Sequence, residues 1–171
     1  MKNALVTGAN GFIGDYLCKA LINSGFQVSK HVRHVNSSDS SEQYECDLET
    51  NSFPERALEN IDVVYHLAGL AHEVQNSTLN IQQYQSVNVD ATIKIANMAA
   101  KKNVKQFIFV SSVKAGGNSI KDQCMDEENQ NKPIGIYAQT KRAAEIKLIE
   151  MSKTINMKVT IIRPALVYGP K

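Results

Sequence analysis

Short apolar runs alternate along the chain with longer amphipathic stretches, the pattern of an α/β protein built on a parallel sheet. The runs at 4–6, 27–32, 44–46, 63–66, 106–110 and 159–162 read as strands. Their Val, Ile and Phe content suits strands covered on both faces, where strict alternation is not needed. Between them Ile13, Leu17, Ala20 and Leu21 recur at helical spacing, as do Val87, Ala91, Ile95 and Ala99, and then Ala144, Leu148 and Met151. Each stripe is expected to be the core face of a helix. The polar cluster at 36–41 reads as an exposed loop between the second and third strands. The irregular stretch at 113–136 is long for a compact domain, which marks it as functional or disordered. No repeat or linker divides the chain.

Composition narrows the class. A chain of 171 residues, 43% hydrophobic and 21% charged, is one soluble globular domain with enough core to fold without disulfides. The net charge of +2 leaves no electrostatic footprint for nucleic acid or an anionic membrane. No apolar run approaches the roughly 20 residues of a membrane span, and Met1-Lys2-Asn3 leads into a short strand instead of a signal peptide, so a cytoplasmic location is expected. Cys18, Cys46 and Cys124 are odd in number and far apart, and neither His66 nor His72 has a ligand partner at metal spacing. Reduced thiols, two of them in the core, and no metal site are the expectation.

The first strand ends in Thr7-Gly8-Ala9-Asn10-Gly11-Phe12-Ile13-Gly14, and a helix begins within it. Glycines serve three purposes in such a turn: a tight bend, close approach of the backbone to a pyrophosphate, and close packing of helix on strand. The helix start then offers free N–H groups to phosphate charge. Standing at the head of a βαβ series, the turn predicts a dinucleotide site in a Rossmann-type doubly wound parallel sheet, helices on both faces. The second strand ends in Val32-Arg33-His34, with no carboxylate for the ribose 2′-hydroxyl of NAD. Arg33 could instead fork onto a 2′-phosphate, which favours NADP over NAD. Asp47 is placed to accept from an adenine amino group, and a capping Asp would look the same.

Tyr137 and Lys141 are one helical turn apart on one face. A nearby cation lowers a phenol's pKa and equips it to exchange a proton with a substrate hydroxyl or carbonyl while hydride moves to or from nicotinamide. Ser111 and Ser112 end the fifth strand at the edge where open α/β sheets bind ligands. Asn88 lies in a helical pattern that Asn supports poorly, which hints at a purpose. His66 reads as a packed, hydrogen-bonded strand residue, and His72 as an exposed one.

Taken together these segments resemble the extended short-chain dehydrogenase/reductases, the NAD(P)-dependent epimerase/dehydratase group acting on nucleotide sugars. The resemblance rests on Thr7-Gly8-x-x-Gly11-x-x-Gly14, Cys46-Asp47-Leu48, His66-Leu67-Ala68-Gly69, Asn88-Val89-x-Ala91-Thr92, Phe107 to Ser112, the Tyr137 and Lys141 pair, and Arg163-Pro164 followed by Val167-Tyr168-Gly169-Pro170. It implies a cofactor site of Gly8, Asn10, Gly11, Phe12, Ile13, Gly14, Arg33, Asp47, Leu48, Leu67, Ala68, Gly69, Asn88, Tyr137, Lys141 and Pro164, and a catalytic set of Ser112, Tyr137, Lys141 and Asn88. Val113 and Lys114 stand where the dehydratase branch carries acidic residues, which disfavours water elimination. The implied activity is hydride exchange at sugar C4 by a 4-epimerase or 4-ketoreductase with a UDP-sugar substrate; a homodimer is also expected. Members of the group are about twice this length by two-domain arithmetic, so the chain is expected to carry the cofactor domain without the substrate domain. A module that holds or senses NADP without catalysis, or a fragment inactive alone, is the alternative.

Overall fold

The computed structural model describes residues 1–50, 52–71, 81–117, 126–127 and 130–170. Six strands, β1 (Lys2–Thr7), β2 (Phe26–Val32), β3 (Glu42–Glu45), β4 (Val63–His66), β5 (Gln106–Val110) and β6 (Lys158–Ile162), form one sheet in the order β3-β2-β1-β4-β5-β6. Every pairing is parallel, with Thr7 opposite His31 on one side and His66 on the other. This is the doubly wound Rossmann order expected from the sequence, and the strands depart from their expected limits by at most two residues. The order reverses between β1 and β4, which opens a crevice beyond their carboxyl ends.

Strand alternation divides the core in two. Ala4, Val6, Val28, Val32 and Val63 pack with Cys18 and Leu21 of α1 (Phe12–Asn23) on one face. On the other, Leu5, Val64, Phe107 and Phe109 meet Ile95 of α3 (Thr92–Lys101) and Ala144 and Leu148 of α4 (Ile136–Ser152). A short helix α2 (Ile81–Gln85) runs into α3 through a wider π-helical turn, Ser86–Ala91. The stripes at Val87, Ala91, Ile95 and Ala99 and at Ala144 and Leu148 are buried as expected, with Met151 packed at the margin.

The α1 stripe holds at Leu17 and Leu21, which pack into the core, and needs correction at Ile13 and Ala20. Its buried face is Gly14, Cys18 and Leu21, while Ile13 is exposed and Ala20 faces solvent. Gly14, which has no side chain to count, is the position pressed onto the β1 turn. Cys18 and Cys46 are buried free thiols; Cys124 and His72 lie outside the described residues. Among the described residues, no helix is long and apolar enough to cross a membrane.

Candidate active site

The β1–α1 turn is built on two close approaches. Gly8 adopts φ +68°, and a Cβ there would stand 2.9 Å from Ala68 N, so the turn lies directly against the chain leaving β4. A Cβ on Gly14 would stand 2.2 Å from Gly8 O, so only glycine lets α1 start this close to the strand. Gly11 is the N-cap, and no side chain caps this helix end. Its first N–H groups and the helix dipole therefore face the crevice, a cradle suited to phosphate.

A cavity of about 400 Å³ opens there, lined by Gly8, Gly11, Ile13, Ser112, Tyr137 and Lys141 among others. Phe12, Gly14, Leu67, Gly69 and Pro164 complete the expected residues on its wall. A larger depression of about 550 Å³ lies at the opposite end of the sheet, between Asn103–Lys105 and Ile155–Met157, and holds none of them. Donor chemistry, backbone crowding and shape agree that the residues fit a dinucleotide at the first cavity.

Tyr137, on the first turn of α4, hydrogen-bonds Ser112, whose Oγ also accepts from Lys114 N at 3.2 Å and so caps the turn after β5. Burial lifts the Tyr137 phenol above its ordinary value, and the Ser112 bond only partly offsets this. The direction is the opposite of the lowering expected from Lys141. Lys141 is 4% exposed, donates to Val110 O at 2.9 Å and sits 4.6 Å from the centre of the Phe109 ring. Burial pulls its pKa down to about 8, against the attraction of Glu145 one turn further on.

Asn88 is fully buried in the π-helical turn, a feature that often marks functional positions. Its Oδ1 accepts from Leu70 N at 2.8 Å, and its Nδ2 donates to Leu70 O and to Thr140 Oγ1, each at 3.1 Å. Gly69 fits between this amide and Lys141: a Cβ there would lie 3.0 Å from Asn88 Oδ1 and 3.4 Å from Lys141 Nζ. The structure thus brings Ser112, Tyr137 and Lys141 to one cavity, with Asn88 behind Gly69.

At the segment expected to meet adenine, the carboxylate has a local structural partner. Asp47 Oδ1 accepts from Glu49 N at 3.0 Å and caps a short 3₁₀ turn, Leu48–Thr50, which is the capping alternative the sequence left open. The Leu48 side chain is in the core, leaving only its backbone for a ligand. Arg33 is exposed past the end of β2, and Asn10 donates to His34 O at 3.5 Å beside it. Ala68 offers its N–H to Thr7 Oγ1 instead of to the cavity.

Sequence reasoning missed Thr140 and Glu145. Glu145 is 1% exposed and is held by Arg163, whose Nε donates to Oε1 at 2.8 Å. The pair ties α4 to the segment that brings Pro164 to the cavity. A signal was present in the i, i+4 spacing of Lys141 and Glu145.

Three comparisons bear on this geometry. The profile of the NAD dependent epimerase/dehydratase family matches residues 4–171. The chain is 35% identical over 173 residues to UDP-glucose 4-epimerase of Vibrio cholerae, taking in 99% of this chain and 53% of that protein. It is 30% identical over 184 residues to dTDP-D-glucose 4,6-dehydratase of Mus musculus, taking in 99% of this chain and 51% of that one. Among solved structures, UDP-glucuronic acid 4-epimerase from Bacillus cereus, in complex with UDP-glucuronic acid and NAD, superposes with a TM-score of 0.85 at 27% identity, over 98% of this chain and 58% of that chain. The chain therefore spans about half the length of the curated relatives it matches.

Proposed function

The chain belongs to the NAD dependent epimerase/dehydratase family, and from that premise we propose that it is the cofactor-binding part of a nucleotide-sugar 4-epimerase or 4-ketoreductase. The observation that carries this reading is the convergence of Ser112, Tyr137 and Lys141 on the cavity walled by Gly8, Gly11 and Gly14. The nicotinamide, when bound, supplies hydride acceptance and return at the sugar's C4.

Tyr137 as the phenolate takes the proton of the C4 hydroxyl on oxidation, and the phenol so formed gives it back on reduction. Ser112, already hydrogen-bonded to that phenol, shares the same substrate oxygen and fixes its approach. Lys141, anchored on Val110 O, keeps positive charge beneath the reacting groups and favours the phenolate when it forms. Val113 and Lys114 follow Ser112 with no carboxylate to abstract a second proton, which supports epimerisation or reduction over the elimination named for one relative. NAD is the proposed cofactor, as in the Bacillus cereus complex. Arg33 is the single residue that favours NADP, and a UDP-sugar is the proposed substrate.

Nicotinamide fluorescence during titration with NADH and with NADPH, followed by an assay of UDP-glucose and UDP-galactose interconversion, tests the reading. NADH is expected to bind at least as tightly as NADPH. Tyr137→Phe is expected to keep that binding and to lower any turnover by about 10²–10⁴. Tighter NADPH binding would restore the Arg33 preference. Binding without turnover, identical in parent and Tyr137→Phe, would favour a non-catalytic module, and no binding of either dinucleotide would overturn the site.

A further inference from the structure

A buried line of side chains joins the glycine turn to the helix that carries Tyr137, and His66 is at its centre. His66 ends β4 with no exposed surface, flanked by the Phe107 and Phe109 rings at 5.7 and 6.0 Å between centroids. Its Nδ1 lies 2.8 Å from Thr7 Oγ1 and its Nε2 lies 2.9 Å from Thr92 Oγ1.

Donor and acceptor chemistry fixes the protons on this line. The Thr92 hydroxyl has one proton and directs it to Asn88 O at 2.9 Å, a carbonyl that can only accept. Toward His66 it must therefore accept, which puts the ring proton on Nε2. Burial holds the imidazole neutral, so Nδ1 is bare and accepts from Thr7 Oγ1. Thr7 Oγ1 in turn accepts from Ala68 N at 3.2 Å. Asn88 joins the next stretch through its own covalent frame: its main-chain O takes the Thr92 proton, while its side-chain Nδ2 donates to Thr140 Oγ1, whose single proton is shared between the Ile136 and Tyr137 carbonyls at 2.9 and 3.0 Å. It starts beside Gly8 and ends on the first turn of α4.

We infer that His66 is a positioning residue: as the Nε2–H tautomer it locks Thr7, next to the glycine turn, and, through Thr92, the main chain of Asn88, whose side chain lies near Lys141, into one line of contacts that sets where Tyr137 stands. The purpose given to that placement rests on the reading of Tyr137 as the acid–base group; the line itself does not. An imidazole serves here because it presents an acceptor and a donor on opposite sides of a rigid ring in a space that excludes water.

Imidazole ¹⁵N spectra of the whole chain near neutral pH give the first test, with His66 expected to carry its proton on Nε2 and none on Nδ1. A proton on Nδ1, or a doubly protonated ring, would overturn the assignment. The second test is the ionisation of Tyr137, followed by ¹³C-tyrosine NMR with Tyr137→Phe as the reference. Thr92→Val keeps the side-chain shape and removes the hydroxyl; it is expected to raise the Tyr137 pKa by about one unit, a tenfold change in proton affinity. His66→Leu is expected to do the same, and His66→Gln, which keeps a donor near Nε2, to return Tyr137 toward the parent. A folded Thr92→Val with unmoved Tyr137 ionisation would reduce His66 to a packing residue. Neither measurement needs dinucleotide or sugar, so failure of NADH to bind would sink the functional reading while leaving this proposal separately decided.

Discussion

Gly14→Ala puts one methyl group where the structure has no room. The added Cβ would stand 2.2 Å from Gly8 O and 2.9 Å from both Ala9 Cα and Ala9 O, all backbone atoms that cannot rotate away. Opening the shortest contact to 3.0 Å requires α1 to move off the turn by about 0.8 Å. Overpacking of this kind costs about 1–3 kcal/mol, offset by up to about 1 kcal/mol of helix propensity gained from alanine. The expected net loss is about 1–2 kcal/mol, a fall in Tm of roughly 2–8 °C for a chain of this size. Gly25→Ala is the control, since Gly25 has φ +83° with nothing within 4 Å of its Cβ position. Its left-handed strain costs a similar ~1–2 kcal/mol at a site remote from the cradle. Thermal unfolding and NADH fluorescence titration should then show two comparably destabilised variants, of which only Gly14→Ala loses NADH affinity, by tenfold or more. Parent-like NADH binding in Gly14→Ala, or equal losses in both variants, would refute the assignment of the turn as the phosphate cradle.

Burial holds Lys141 at about 8, below the ordinary 10.5, so between those values the unfolded chain binds more protons than the native one and this residue's contribution to stability rises with pH. Lys141→Met should therefore be the more stable protein at pH 7, by up to about 3 kcal/mol, and should lack that rise; parallel urea midpoints for parent and variant at pH 7 and 10 would contradict this. Glu145→Ala leaves Arg163, with about a fifth of its side chain exposed, without its carboxylate, and is expected to cost about 3 kcal/mol in urea unfolding, the low end for a buried pair; a loss under about 1 kcal/mol would mean that water replaces the partner. Thr140→Val removes the acceptor of Asn88 Nδ2 inside the core and should destabilise by about 1–3 kcal/mol with little change in helix content by circular dichroism.

Much of the fold was legible because its signals are local. Six apolar runs became the six strands, and the Gly8, Gly11 and Gly14 spacing located the start of α1, since short-range sterics permit few other uses for glycine there. The four-residue step from Tyr137 to Lys141 is enough by itself to set phenol and ammonium on one helix, α4, a turn apart. The capping role of Asp47 was also within reach, as one of two readings a carboxylate after a strand allows.

Other features depend on what the folded chain puts beside each residue. Hydrophobic periodicity caught only part of the buried face of α1, Leu17 and Leu21, because its closest contact is made by Gly14, which carries no apolar side chain to be counted. Charge spacing suggested a lowered Tyr137 pKa, yet burial reverses the direction. The line through His66 joins residues 59, 26 and 52 positions apart. Periodicity and turn chemistry act over a few residues and so determine elements, their order and the candidate groups. Hydrogen-bond direction, desolvation and close backbone approach act between elements, and only the parallel order that sets β4 beside β1 and under the π-helical turn decides them.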